Sequence, residues 1–210
     1  MFKVHNIKIN KYAQRHPDNL FVVIMMVSLS IQQKWSLVGD MLSDMVENKS
    51  DCLYLWGNKV STYEYMITHK HFIHGQMLAV IKSKNLTEHA KAVSLMKVFL
   101  KIPGLGLPKA GFVCQLVTGL VGCMDVHNIK TYGIDPKTLI LNKNLKSLKS
   151  KTNNRRKIEK YITLCHDYGT ENLWNSWCSM IADKYPKDFV DSNHVSEVHY
   201  TYLTGEYNDD

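Results

Sequence analysis

Long apolar runs, paired cysteines and low-complexity linkers are all missing from this 210-residue chain. The longest apolar stretch, Leu20 to Ile31, holds two serines and falls short of the ~20 residues a membrane-spanning helix needs. It reads as a buried helix, and no membrane insertion follows from it. Residues 1–19 are polar and carry no apolar signal core, so an intracellular, cytoplasmic location is expected. The five cysteines (Cys52, Cys114, Cys123, Cys165 and Cys178) form no C-x-x-C pair. That spacing argues against a disulfide framework and a zinc knuckle, and fits reduced thiols. No repeat or linker divides the chain, so residues 1–210 are expected to form a single domain, with one sizeable core or two lobes sharing a cleft. Acid is the scarcer charge. Lys and Arg number 26 against 19 Asp and Glu, a formal charge of +7, which favours a polyanionic partner.

The apolar spacing is helical nearly everywhere, which predicts an all-α fold. Leu20 to Trp35 reads as the first strong helix. Ser36 to Glu47 follows, with Leu37, Met41, Leu42 and Met45 at helical intervals. Tyr54 to His74 is aromatic and less regular, and is expected to be helical. Thr87 is placed to cap a helix whose apolar face is Ala92, Leu95, Met96 and Phe99, and Pro103 stops it. Pro108 suits the first turn of the next helix, expected to run to about Leu120. The segment 143–160 is densely basic, and its second half becomes a helix. Glu171 to Tyr185 forms another, carrying Trp174 and Trp177 as core. His69, His71 and His74 are clustered, but their spacing spreads them over different helix faces. No metal site and no cofactor is expected.

The most informative stretch is Lys101-Ile102-Pro103-Gly104-Leu105-Gly106-Leu107-Pro108-Lys109-Ala110-Gly111-Phe112. Two helices flank a turn whose glycines stand two residues apart. Gly104 and Gly106 permit positive φ and close approach of another backbone. Amides exposed at the start of the second helix can donate to a phosphate, aided by the helix dipole. Lys101 and Lys109 add cationic contacts. Downstream comes Gly122-Cys123-Met124-Asp125-Val126-His127-Asn128.

This stretch resembles the helix-hairpin-helix of the DNA glycosylase superfamily that includes endonuclease III, adenine glycosylase and 8-oxoguanine glycosylase. That family follows its hairpin with an apolar-Asp-x-His segment, and Asp125 falls 19 residues after Gly106, close to the family's spacing. The resemblance implies that Asp125 stabilises an oxocarbenium-like sugar or activates the nucleophile. His127 matches a family histidine that is more often structural. Leu29-Ser30-Ile31-Gln32-Gln33 looks like the family's Leu-Ser-x-Gln, which would bring Gln32 or Gln33 to the gap left by a flipped nucleotide. The matches span residues 20–135. They imply a two-lobed, helix-hairpin-helix fold, with duplex DNA across the mouth of a central cleft and the protein acting as a monomer.

Two departures narrow the chemistry. Family members that cleave through a Schiff base carry a lysine where this chain has Pro108. Lys109 stands one residue further on, turned by about 100° on a helix. The cysteine-ligated iron–sulfur loop of some relatives is absent. A monofunctional N-glycosylase using Asp125 is therefore expected, with Lys109 the second catalytic candidate and also a phosphate contact. Lys101, Gly104, Gly106, Lys109, Gln32, Gln33, His127, Asn128, Arg155 and Arg156 are the candidate DNA contacts. The Pro-Gly-Leu-Gly-x-x-Lys-Ala-Gly-Phe run also resembles a bacteriophage branch of the superfamily that modifies thymine in DNA. A base-modifying transferase, working in a host cytoplasm, is one alternative. A non-catalytic helix-hairpin-helix binding module is the other. For Asp125 the competing reading is a plain helix N-cap.

Overall fold

Helices account for every regular element of at least five residues among the residues that the computed structural model describes, which are 6–34, 37–142 and 147–184. The chain is all-α. The acidic tail at 206–210, Trp35, and Lys143 and Lys146 of the basic run lie outside the described residues.

Two helices open the chain. α1 (Asn6–Arg15) ends where Pro17 withholds an amide, and α2 (Pro17–Leu29) begins there. His16 caps α2, its Nδ1 accepting from the Asp18 amide at 3.3 Å. Residues 6–15 form this helix on a largely polar sequence, with Ile9 and Ala13 buried against the core. α2 is buried on most sides, as its sequence demands. It stops at Leu29, six residues short of the expected Trp35. Ser30 turns its hydroxyl back to Val27 O at 2.8 Å, and Gln32 takes a left-handed φ of 57°. A helix cannot pass through such a residue.

α3 (Val38–Asn48) buries Met41, Leu42 and Met45 at the expected spacing. α4 (Asn58–Lys82) is longer than expected, at 25 residues. α5 (Glu88–Phe99) starts on Thr87, whose hydroxyl accepts from the Ala90 amide at 3.2 Å. α6 (Leu107–Thr118) carries Pro108 in its first turn and closes on Gly119 with φ 73°. A short α7 (Val126–Thr131) follows, then α8 (Leu148–Tyr168) and α9 (Thr170–Lys184).

α6 is the central element. Leu107 and Ala110 through Val117 are all buried, with α1, α2 and α5 against it. Gln14 of α1 donates from Nε2 to Val117 O at 2.9 Å, fixing α1 to the end of α6. α4 lies along α2 and α5. The other side is covered by α8 and α9. Phe112 meets Trp174 and Trp177 with ring centroids 5.8 and 6.1 Å apart, so both tryptophans are core, as read from the sequence. Among the described residues no helix is long and apolar enough to cross a membrane.

His74, on α4, is nearly buried and its Nε2 lies 3.1 Å from Gln14 O. Burial pushes its pKa below the ordinary 6.5, outweighing the Gln14 carbonyl, with His16, His71 and Lys82 adding repulsion. A base with a depressed folded pKa leaves stability intact above about 6.5, and stability is lost as pH falls and the unfolded chain takes the proton first. Thermal melts between pH 7.5 and 5 should show this loss, and His74→Gln should flatten it.

Candidate functional site

Residues 100–106 join α5 to α6 in a tight turn. Its carbonyls and amides bond locally, with Ile102 N to Phe99 O at 3.1 Å and Leu105 N to Ile102 O at 3.2 Å. Gly104 has φ 85°, and a Cβ there would sit 2.7 Å from Thr62 Oγ1 and 2.9 Å from Asn58 O. The Thr62 hydroxyl lies 2.7 Å from Pro103 O and 2.9 Å from Asn58 O, so the first turn of α4 clamps this turn. Gly104 is thus required twice over. Gly106 differs from expectation. Its φ is −86°, a conformation open to any residue, and a Cβ would meet nothing closer than Pro108 Cδ at 4.0 Å. What its missing side chain does is leave the start of α6 bare. No side chain caps that helix, so its first-turn amides remain available to an acceptor from outside.

Lys109 stands in the first turn of α6. It is half-buried and donates from Nζ to Ser30 Oγ at 3.1 Å, at the end of α2. Its ammonium also lies 5.7 Å from the Phe112 ring centroid. The C-terminal end of α2 carries partial negative charge, so a cation is well placed there. Gln32 and Gln33 follow directly. Gln32 is exposed in its left-handed turn and Gln33 is half-buried, its amide bonding Ser30 O at 3.4 Å. Lys109 and the glutamine turn therefore share one neighbourhood.

Asp125 stands two residues after Cys123. Burial pushes the Cys123 thiol far up, the Asp125 charge adds to this, and Lys109 opposes it. Asp125 itself is half-buried and caps α7, Oδ1 accepting from the Asn128 amide at 2.9 Å. The cap engages one carboxylate oxygen and leaves the charge in place.

The strand of chain that presents Asp125 is held by groups the sequence did not single out. Tyr161 is fully buried on α8. Its hydroxyl donates to Gly122 O and accepts from the Met124 amide, both at 2.9 Å. Gly111 makes room, since a Cβ there would fall 2.3 Å from that hydroxyl. Gln115 takes the Cys123 amide on Oε1 at 2.8 Å and gives Nε2 to Thr170 O at 3.0 Å. Asn128, read above as a DNA contact, is instead fully buried and cannot reach a nucleic acid. Its Nδ2 donates to Cys123 O at 2.8 Å and Leu173 O at 2.9 Å, bracing the Asp125 segment against α9. For Gln115 and Tyr161 a signal existed: a polar group on an otherwise apolar helix face.

The basic residues split. Lys101 and Arg155 line one groove of about 300 Å³, with Lys97 and Lys151 as further cations and Leu100, Leu141 and Ile158 as floor. Lys101 Nζ also donates to Gln76 Oε1 at 2.9 Å, and Arg155 Nε to Glu159 Oε1 at 3.0 Å. Arg156 is exposed but does not line the groove. His127 faces elsewhere, into a shallow depression between α7 and α9, with Nε2 3.1 Å from Ser176 Oγ. His69 stacks on Tyr65 with centroids 4.2 Å apart, and among the described residues no three His, Cys, Asp or Glu side chains are grouped to hold a metal ion.

Two contrasts test this geometry. Gly104→Ala should cost at least ~1–2 kcal/mol through its left-handed φ alone, whereas Gly106→Ala should melt within ~0.5 kcal/mol of the parent. Denaturant unfolding checks both. Tyr161→Phe should cost ~1–3 kcal/mol, because the buried Met124 amide loses its partner and Gly122 O keeps only the weak Cys165 thiol donor; a neutral result would show that this bridge carries nothing.

Comparison with protein-family models, curated proteins and solved structures returned no match for this chain.

Proposed function

We propose that this chain is a DNA-binding enzyme of the two-lobed helix-hairpin-helix glycosylase type, acting on a base flipped out of the duplex. The observation that carries the reading is the uncapped first turn of α6, where Lys109 meets Ser30 of the turn that carries Gln32 and Gln33. Lys109 and Ser30 stand 79 residues apart in sequence.

In this reading the bare first turn of α6 takes a backbone phosphate, with the helix dipole behind it. The groove of Lys97, Lys101, Lys151 and Arg155 continues the track along the backbone. Its apolar floor suits sugar edges. The Ser30–Gln33 turn stands beside Lys109, where Gln32 or Gln33 fills the space a flipped nucleotide leaves. Asp125 faces the sugar. As the bond between C1′ and the base nitrogen breaks, its electrons leave with the base and positive charge grows on the sugar. A fixed carboxylate stabilises that charge, and water then adds at C1′. Pro108 offers no amine at the position a Schiff-base lyase uses, so a monofunctional reaction is proposed, in a monomer without a cofactor.

A second reading is favoured by one observation. The cap on α7 accounts for Asp125 without any chemistry. A helix-hairpin-helix module that binds DNA and does nothing more would need only that.

Asp125→Asn separates them. Asparagine caps as well as aspartate and keeps the acceptor for the Asn128 amide, so folding and DNA affinity should hold. Turnover should fall about 10²–10³-fold, the usual loss for one electrostatic contact to a transition state. Single-turnover assays on duplexes bearing a panel of modified bases, with nucleosides analysed by mass, give the readout. Full activity in the variant sinks the mechanism. A base made heavier and not lost assigns a transferase on the same scaffold, and no change in any base leaves the binding module.

A further inference from the structure

Lys59 is the anomaly of the core. It is only 2% exposed, and among the described residues its Nζ has no hydrogen-bond partner. The nearest compensation is the Trp56 ring, with its centroid 4.4 Å away. A ring face offsets part of the cost of burying an ammonium, but a buried charge of this kind ordinarily has a counter-charge. None is here. The charged or ionisable groups that act on the amine are Cys52, a thiol whose pKa is itself raised, and Lys109, a second cation. Burial is the main force pulling the Lys59 pKa down, and Lys109 adds to it.

The place is specific. Lys59 is the second residue of α4 and Lys109 the third of α6. The first turn of α4 abuts the turn that leads into α6, as the contacts at Gly104 show. Neither helix has a side-chain N-cap, and in α4 the Lys59 amide turns back to Trp56 O at 3.1 Å. The Ser30 hydroxyl joins them through Lys109. Trp56 forms the outer wall and is 45% exposed, in a segment whose Leu53 is 85% exposed.

We propose that the first turns of α4 and α6 form a binding site for a phosphate-type oxyanion, held between Lys59 Nζ and Lys109 Nζ under the Trp56 ring. Two ammonium donors match a small tetrahedral dianion, and its charge cancels theirs. The proposal deepens the DNA reading, since it shares the first turn of α6 with the backbone phosphate of that reading, and a free phosphate and a nucleic-acid phosphate both present unesterified oxygens to it.

The experiment is a thermal melt of the full chain in rising inorganic phosphate at constant ionic strength. The parent should gain about 2–4 °C once phosphate exceeds its dissociation constant roughly fivefold. Lys59→Met, with no cation to bury, should melt no lower than the parent without phosphate, and should lose the response. An equal rise in Lys59→Met, or no rise in the parent up to tens of millimolar, overturns the proposal. A measurement on the parent alone covers a variant that fails to fold. Carbon-13 labelling at lysine Cε should show a saturable phosphate-dependent shift of the Lys59 resonance, assigned with Lys59→Arg; an unmoved Lys59 resonance overturns the site. Adding a short DNA duplex then identifies the source. Displacement of phosphate assigns the pocket to a nucleic-acid phosphate, and simultaneous binding assigns it to a free one.

Discussion

The geometry around α6 depends on the Tyr161 hydroxyl. It reaches through the core from α8, passes over a glycine on α6, and joins two backbone groups of the segment that carries Asp125. A hydroxyl is well suited to this, because it donates and accepts at once. Burial drives its pKa well up, so it keeps its proton at any pH the protein will meet. Three elements are thereby fixed to one oxygen. Asn128 and Gln115 repeat the device with amide side chains, which likewise offer both roles. The result is an irregular segment as rigid as a helix, ending in a carboxylate.

Charge is distributed with a matching logic. Cations gather on the side of the molecule where the α5–α6 turn emerges, and among the described residues several of them have neutral partners instead of acidic ones. Lys101 settles for an amide oxygen, Lys109 for a hydroxyl and Lys59 for an aromatic face. Such neutral partners leave the positive potential almost undiminished.

Much of the fold was legible in the sequence. The starts of α5 and α6 could be read almost to the residue, because Thr87 and Pro108 announce them by local chemistry, whereas α5 ends at Phe99, ahead of Pro103, and α6 at Thr118, ahead of Leu120. α2 was overextended because apolar content continues through Ile31, while the turn is made by a conformation at Gln32 that composition does not announce. α1 was missed because its apolar face amounts to Ile9 and Ala13. The site was only partly legible. Gly104, Lys109 and Asp125 carry type and spacing that chemistry demands. Lys59 and Asn128 do not: a lysine reads as surface and an asparagine as a polar contact, and only three-dimensional packing buries them. Tyr161 was visible as an apolar position, and its polar end acquires meaning only when residues 122 and 124 are brought to it.

The thiols have a practical consequence. Cys52, Cys114, Cys123 and Cys165 are all free and buried, and burial raises the pKa of each, that of Cys165 to about 12. Thiolate is the reactive form, so the native molecule presents almost none of it from these four positions. Alkylation at Cys114, Cys123 or Cys165 must wait for the region around α6 to open. The rate at which a reagent labels each one then becomes a clock for that opening, built into the unmodified chain.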